Sequence, residues 1–129
     1  MTKSIEELLP EKSKVLLLGL GGGSFANSFY KNLGFSVDAV EFDERIVNVA
    51  LDYFGLDRGV NVIVDDARHY LEVTTKKYDL IFFDVFKGDV IPAHVLSLES
   101  FEQTKKILSE SGMLVVNFNG FLHGKEGEA

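Results

Sequence analysis

The sequence contains no cysteine, which excludes disulfide bonds and metal sites built from thiolates. This absence is compatible with a reducing compartment, and we expect a cytoplasmic protein. The apolar runs all fall far short of the roughly 20 residues that a membrane-spanning helix needs. Acidic residues interrupt the first positions of the chain, where a secretory signal would be apolar. We therefore expect no membrane partner.

Positive charge is scarce, because 13 lysine and arginine residues face 20 aspartate and glutamate residues and the net charge is −7. Such a balance argues against a nucleic-acid backbone as the partner. The sequence also lacks a P-loop and a nucleophile elbow. The three histidines, His69, His94 and His123, do not show the spacing of paired metal ligands, so we expect no metal site.

The most informative stretch, residues 14–27, reads KVLLLGLGGGSFAN. Its apolar residues at positions 15–18 predict one buried strand of a parallel sheet. The segment after this strand is rich in glycines, which lie at Gly19, Gly21, Gly22 and Gly23. A helix with apolar residues at helical spacing is predicted to follow. A strand, a glycine turn and a helix N-terminus commonly hold a nucleotide against backbone N–H groups, so this stretch predicts a nucleotide-binding loop.

The remaining apolar patterns predict strands that alternate with helices on short connections. The predicted strands cover residues 15–18, 35–42, 60–64, 78–84 and 113–118. The predicted helices cover residues 4–9, about 25–33, 44–54, about 67–73 and 98–108, the last closed by Ser111 and Gly112. This alternation indicates an α/β domain over residues 1–119, in which a parallel sheet carries helices on both faces. Residues 120–129 are predicted to form a flexible tail.

Carboxylates end several of the predicted strands, and they would share one edge of the sheet with the glycine loop. They are Glu41, Asp65, Asp66 and Asp84. Ligands of open parallel sheets bind at the carboxyl ends of the strands, and stability alone does not require acids there. We therefore predict a ligand site at this edge, which we call the carboxyl rim.

Spacing favours particular roles for some of these acids. Glu41 follows Gly19 by 22 residues, close to the ~20-residue spacing at which an acid reaches ribose hydroxyls. Asp43 is predicted to cap the next helix.

Asp65 and Asp66 precede a helix, so one of them is expected to cap it while the other accepts a hydrogen bond from an adenine amino group. We assign the adenine to Asp66. Asp84 is expected to hold or deprotonate an amine, or to orient a cation.

Several blocks of the sequence resemble one known family. Ser24 stands where a dinucleotide fingerprint requires glycine or alanine, which disfavours NAD. The GxGxG pattern instead resembles the fold of methyltransferases that use S-adenosylmethionine. The blocks that resemble the spermidine synthase (polyamine aminopropyltransferase) family cover residues 40–54, 64–71, 78–101 and 111–118.

This resemblance implies a Rossmann-like, doubly wound parallel sheet of about five strands, a truncated form of the methyltransferase-type fold. It implies binding of decarboxylated S-adenosylmethionine or S-adenosylmethionine, with aminopropyl transfer to a small-molecule amine. By position, Gly19, Gly21 and Gly23 would line the methionine-derived part of the donor and Glu41 the ribose. Asp66 and Ala67 would contact the adenine, and Asp84 would act on the attacking amine.

The sequence departs from the family pattern after Asp84. Lys87 stands where a second acid is expected, and Asp89 could replace that acid only if the loop shifts. The family's N-terminal β-domain and the last two strands of its sheet have no counterpart here, so the fifth strand is expected at an exposed edge that could form a homodimer. A methyltransferase and a non-catalytic nucleotide-binding or assembly domain therefore stay open as alternatives. The isolated chain is expected to be inactive if it is such a non-catalytic domain.

Overall fold

The computed structural model describes residues 5–21, 23–84 and 97–117. Their elements, in chain order, are α1 (Ile5–Leu8), β1 (Lys14–Leu18), α2 (Ser24–Asn27), a π-helical turn (Ser28–Asn32), β2 (Ser36–Glu41), α3 (Glu44–Tyr53), β3 (Asn61–Val64), α4 (Ala67–Val73), β4 (Tyr78–Phe83), α5 (Leu98–Ile107) and β5 (Leu108–Val116). Within these ranges, every helix is too short or too polar to cross a membrane. The expectations for Gly22, Lys87, Asp89, His94, His123 and the tail at 120–129 lie outside the described residues.

The sheet has the strand order β3-β2-β1-β4-β5, and all of its strand pairs are parallel. This arrangement confirms the predicted doubly wound parallel sheet. The chain moves from β1 outward to β3 on one side and then returns to β4 on the other. The strand order therefore reverses between β1 and β4, which is the usual position of a ligand crevice in such sheets.

The two faces of the sheet are both covered by helices, as predicted. On one face, Val15 and Leu17 of β1 pack with buried residues of α2, the π-helical turn and α3. On the other face, Leu16 and Leu18 pack with buried residues of α4 and α5. All four of these β1 side chains are fully buried, which explains why the strand is a continuous apolar run.

The boundary between the last helix and the last strand differs from the prediction. The sequence predicts a turn at Ser111 and Gly112, but α5 already ends at Ile107 and β5 begins at Leu108. Tyr78 pairs with Leu108 whereas Leu80 pairs with Met113, so β5 contains three more residues than β4 over this interval. The Ser-Gly pair thus lies in an irregularity within the strand, where a Cβ on Gly112 would come within 2.9 Å of Leu108.

Candidate functional site

The glycine loop leaves β1 with a backbone that suits glycine. Gly19, Gly21 and Gly23 have φ values of 99°, 57° and 90°, in the left-handed region that other residues rarely adopt. At Gly23 the space is restricted as well, because a Cβ there would lie 3.0 Å from Cδ1 of Leu56. The predicted loop is therefore present, and its shape depends on glycine for both torsional and steric reasons.

Glu41 is the last residue of β2, and its side chain is buried beside this loop. Its Oε1 accepts a hydrogen bond from the backbone N–H of Leu20 at 2.9 Å, and its Oε2 accepts one from the N–H of Asp43 at 3.0 Å. The carboxylate thus joins the glycine loop to the turn before α3. Each carboxylate oxygen has two lone pairs, so one donor on each still leaves capacity for a ligand hydroxyl.

Asp43 caps α3, as predicted. Its side chain accepts from the backbone N–H of Arg45 at 2.9 Å, and its carboxylate also pairs with the Arg45 guanidinium. This hydrogen bond and charge raise the pKa of Arg45 above its usual value. Asp43 therefore stabilises the helix start that follows Glu41, and its backbone N–H holds the Glu41 carboxylate.

The prediction assigns the adenine to Asp66 and thereby leaves the helix cap to Asp65, and this assignment of the cap is wrong. Asp66 is the residue that caps α4, through a 2.8 Å hydrogen bond from the backbone N–H of Arg68 to its Oδ1. Asp65 instead accepts from the N–H of Asp66 and pairs with the exposed imidazole of His69. The cap falls on Asp66 because α4 begins at Ala67, and capping uses only one of its two carboxylate oxygens.

His69 lies four residues after Asp65, and its imidazole contacts the Asp65 carboxylate. Its Nδ1 lies 2.9 Å from Asp65 Oδ2, and the hydrogen bond and charge of Asp65 raise the pKa of His69. The His69 side chain is 59% exposed. In the described part of the chain, no three His, Cys, Asp or Glu side chains come together as a metal ion would require.

Asp84 follows β4, and its carboxylate contacts the end of the next strand. Its backbone N–H donates to the carbonyl of Leu18 at 2.8 Å, which places Asp84 beside the start of the glycine loop. Its Oδ1 accepts a 2.9 Å hydrogen bond from Nδ2 of Asn117, which follows β5. Asn117 is missing from the predicted site because the fifth strand is predicted over residues 113–118, which places Asn117 inside it, whereas β5 ends at Val116.

Main-chain hydrogen bonds connect these strand ends in one row. The N–H groups of Gly19, Asp65, Asp84 and Asn117 donate to carbonyls at the ends of the neighbouring strands, at 2.8–3.1 Å. The row runs from β3 to β5 and spans four strand spacings, or about 19 Å. The structure therefore brings Asp66, Ala67, Glu41, the glycine loop and Asp84 to one carboxyl rim.

Comparison with known proteins identifies relatives over most of the chain. The Spermine/spermidine synthase domain matches residues 1–126. A polyamine aminopropyltransferase from Vibrio vulnificus is 37% identical over 114 residues, which cover 84% of this chain and 38% of that protein. The chain therefore spans well under half of the length of this relative.

Solved structures give the same result. A probable spermidine synthase from Corynebacterium glutamicum has a TM-score of 0.76 and 29% identity, covering 82% of this chain and 39% of its own. Human methyltransferase-like protein 13 in complex with SAH has a TM-score of 0.71 and 26% identity, with 84% and 56% coverage. These matches confirm the methyltransferase-type fold, and together with the domain match they show that the chain belongs to the spermine/spermidine synthase domain family.

Proposed function

We propose that this chain is the nucleotide-binding part of an aminopropyltransferase and binds decarboxylated S-adenosylmethionine or S-adenosylmethionine at the carboxyl rim. One observation carries the proposal: the glycine loop, Glu41, Asp65 and Asp84 lie in one hydrogen-bonded row across the point where the strand order reverses, and Asp66 directly follows Asp65. The similarity to the Vibrio vulnificus enzyme supports aminopropyl transfer as the reaction class.

In this proposal the rim residues divide the donor between them. The glycine loop, with no side chains at Gly19, Gly21 and Gly23, allows the backbone to approach the methionine-derived part. Glu41 accepts hydrogen bonds from the ribose hydroxyls through its remaining lone pairs. The adenine lies near the start of α4, where Asp66 accepts from its amino group and Ala67 packs against its ring.

Asp84 lies where the reacting amine would enter, between the glycine loop and the end of β5. The neutral amine nitrogen attacks the carbon beside the sulfonium, the new N–C bond forms, and the C–S bond breaks with its electron pair going to sulfur. The amine loses one proton in the process, and Asp84 is the acceptor for that proton. Most of the rate enhancement in such a displacement comes from holding the nitrogen and the carbon in line.

A second candidate is methyl transfer from S-adenosylmethionine on the same scaffold. The observation that favours it is the match to human methyltransferase-like protein 13, whose structure contains SAH. Both donors carry the same adenosine, so Glu41 and Asp66 would serve either reaction. The two functions therefore differ at the amino-acid end of the donor and in the acceptor.

Calorimetric titration of the chain with three ligands tests the proposal. The ligands are decarboxylated S-adenosylmethionine, S-adenosylmethionine and methylthioadenosine. We expect binding of the decarboxylated donor to be the tightest, whereas a preference for the intact donor would favour methyl transfer. A folded chain that binds none of the three would contradict a nucleotide-binding function.

Two glycine variants make this titration specific to the site. Gly23→Ala introduces a Cβ at φ 90° and 3.0 Å from Leu56, whereas Gly34→Ala introduces one at φ 71° in open space, outside the rim. Both variants pay a similar torsional cost of about 1–2 kcal/mol. We expect Gly23→Ala to weaken donor binding at least tenfold and Gly34→Ala to leave it unchanged in the folded protein. Equal affinities for the two variants would argue against the glycine loop as the binding element.

A further inference from the structure

The contact between Asp84 and Asn117 suggests a role for a residue that the proposed reaction does not itself require. We propose that Asn117 is a positioning residue, which sets the orientation of the Asp84 carboxylate toward the attacking amine. This inference rests on the proposed function of Asp84. Its direct support is the 2.9 Å hydrogen bond from Asn117 Nδ2 to Asp84 Oδ1.

The strand register produces this contact. Phe83 pairs with Val116 across β4 and β5, so the next residue of each strand is Asp84 and Asn117 respectively. The backbone N–H of Asn117 also donates to the carbonyl of Phe83 at 2.9 Å, which keeps the two main chains together beyond the last regular pair. Because both backbones are held, the side-chain hydrogen bond fixes the torsion of Asp84 and thus the plane of its carboxylate.

The chemistry of the amide suits this place. An asparagine donates a hydrogen bond without adding a charge. The aminopropyl donor of the proposed reaction carries a positive sulfonium, and a diamine acceptor is cationic at its second nitrogen while the attacking nitrogen is neutral. A lysine or arginine at this position would hold Asp84 more strongly, but it would repel both substrates. A neutral donor therefore orients the carboxylate and keeps the rim attractive to cations.

Asn117→Leu removes the hydrogen-bond donor to Asp84 while keeping a side chain of similar size, and Asn117→Gln restores an amide. The assay measures release of methylthioadenosine from decarboxylated S-adenosylmethionine with 1,4-diaminobutane, and donor affinity is measured by calorimetry. For Asn117→Leu we expect kcat to fall about 10- to 100-fold, equivalent to about 1.4–2.8 kcal/mol. Donor affinity should stay within threefold, and Asn117→Gln should recover part of the loss.

The pH profile separates positioning from a general loss of structure. A carboxylate that loses a hydrogen-bond donor is more easily protonated, so the acid limb of kcat should move to higher pH in Asn117→Leu. The matched control is Asn61→Leu, which removes another 2.9 Å Asn–Asp hydrogen bond, the one from Asn61 to Asp38 at the opposite end of the sheet. Asn61→Leu should lower stability and leave kcat and its acid limb unchanged.

Asp84→Asn and the double variant with Asn117→Leu decide between the possible failures. If Asn117 acts through Asp84, the double variant should be no slower than Asp84→Asn alone. If Asp84→Asn is slow but Asn117→Leu matches the parent in kcat and acid limb, the positioning role is wrong and the proposed function stands. If Asp84→Asn is itself as fast as the parent, the role of Asp84 fails and this inference fails with it. If the folded parent chain shows no turnover, NMR titration of the Asp84 carboxyl replaces the kinetic assay. A titration midpoint that is the same in Asn117→Leu as in the parent then overturns the proposal.

Discussion

Two buried acids on β2, Asp38 and Glu41, lie three residues apart and have different surroundings. Asp38 accepts hydrogen bonds from three side chains outside β2, at 2.6–3.1 Å: Asn61, Lys76 and Tyr78. Glu41 accepts hydrogen bonds from two backbone N–H groups, those of Leu20 and Asp43. Both carboxylates are similarly buried.

This difference shows that the donors, more than burial, distinguish the two acids. The donors to Asp38 are side chains toward the amino end of the sheet, and Tyr78 is also hydrogen-bonded to Tyr70 at 2.7 Å. Burial alone would raise the pKa of Asp38, but hydrogen bonds from Tyr78, Asn61 and Lys76 outweigh it, and the pKa lies below its usual value. The donors to Glu41 belong to the loops that form the proposed site. Asp38 thus serves stability, whereas Glu41 shapes the rim.

Removing the Asp38 carboxylate should give the largest effect on stability. Asp38→Ala leaves the buried Tyr78 hydroxyl and the Asn61 amide without their acceptor, each at a cost of about 1–3 kcal/mol. We expect the free energy of unfolding to fall by about 3 kcal/mol in urea denaturation. Donor affinity of the folded variant should be unchanged. A loss below about 1 kcal/mol would show that the network contributes little.

Glu41→Gln, unlike Asp38→Ala, should weaken binding of the nucleotide donor. The carboxamide can accept from only one of the two backbone N–H groups, because its nitrogen faces the other as a second donor. We expect donor affinity to fall about 10- to 100-fold, since hydrogen bonds to a charged group contribute about 1.5–3 kcal/mol. Calorimetry measures this loss, with the isosteric Asp38→Asn as the control. Equal affinities for the two variants would remove the distinction between the acids.

The pH dependence of stability should follow Asp38. Its folded-state pKa lies below the ordinary value of 3.8 for an aspartate, so the folded protein holds this proton less tightly than the unfolded chain. The resulting stabilisation is fully present above about pH 5 and is lost as the pH falls below about 4. Urea denaturation from about pH 6 to pH 3 should show the loss, and Asp38→Asn should reduce it. A parallel pH profile in that variant would contradict the assignment.

The smallest effect is expected from Lys76, the third donor to Asp38. The Lys76 side chain is 57% exposed, so water screens its 3.1 Å contact with the carboxylate. Lys76→Met should change the free energy of unfolding by less than about 0.5 kcal/mol. Urea denaturation compares this loss with that of Tyr78→Phe, which removes the buried hydrogen-bond donor to Asp38. A larger loss in Lys76→Met than in Tyr78→Phe would reverse this order.

The rim could be predicted from the sequence because strand ends are easy to recognise. Glu41 and Asp84 each follow an apolar run, and parallel strands bring their carboxyl ends together. The exchange of roles at Asp65 and Asp66 could not be predicted in the same way. Which of two adjacent acids caps a helix depends on the first helical residue, and pattern locates that residue only to within a few positions.

Other features depend on contacts that are distant in sequence. Asp38 interrupts an apolar strand, which signals a buried partner, but Tyr78 is 40 residues away and no local pattern connects them. The boundary of β5 failed for a related reason. A Ser-Gly pair is typical of a turn, and only the pairing with β4 shows that it belongs to a strand irregularity.

That irregularity in β5 has a consequence for self-association. Among the described strands, β5 has β4 as its neighbour and lies at the edge of the sheet, where a straight strand would act as a template for another copy. The three extra residues interrupt the regular spacing of its outward N–H and C=O groups, and Glu110 adds an exposed charge. The straight part is thereby limited to residues 113–116. The interruption should therefore oppose polymerisation through this edge. Deletion of residues 109–111 should then increase light scattering from concentrated solutions.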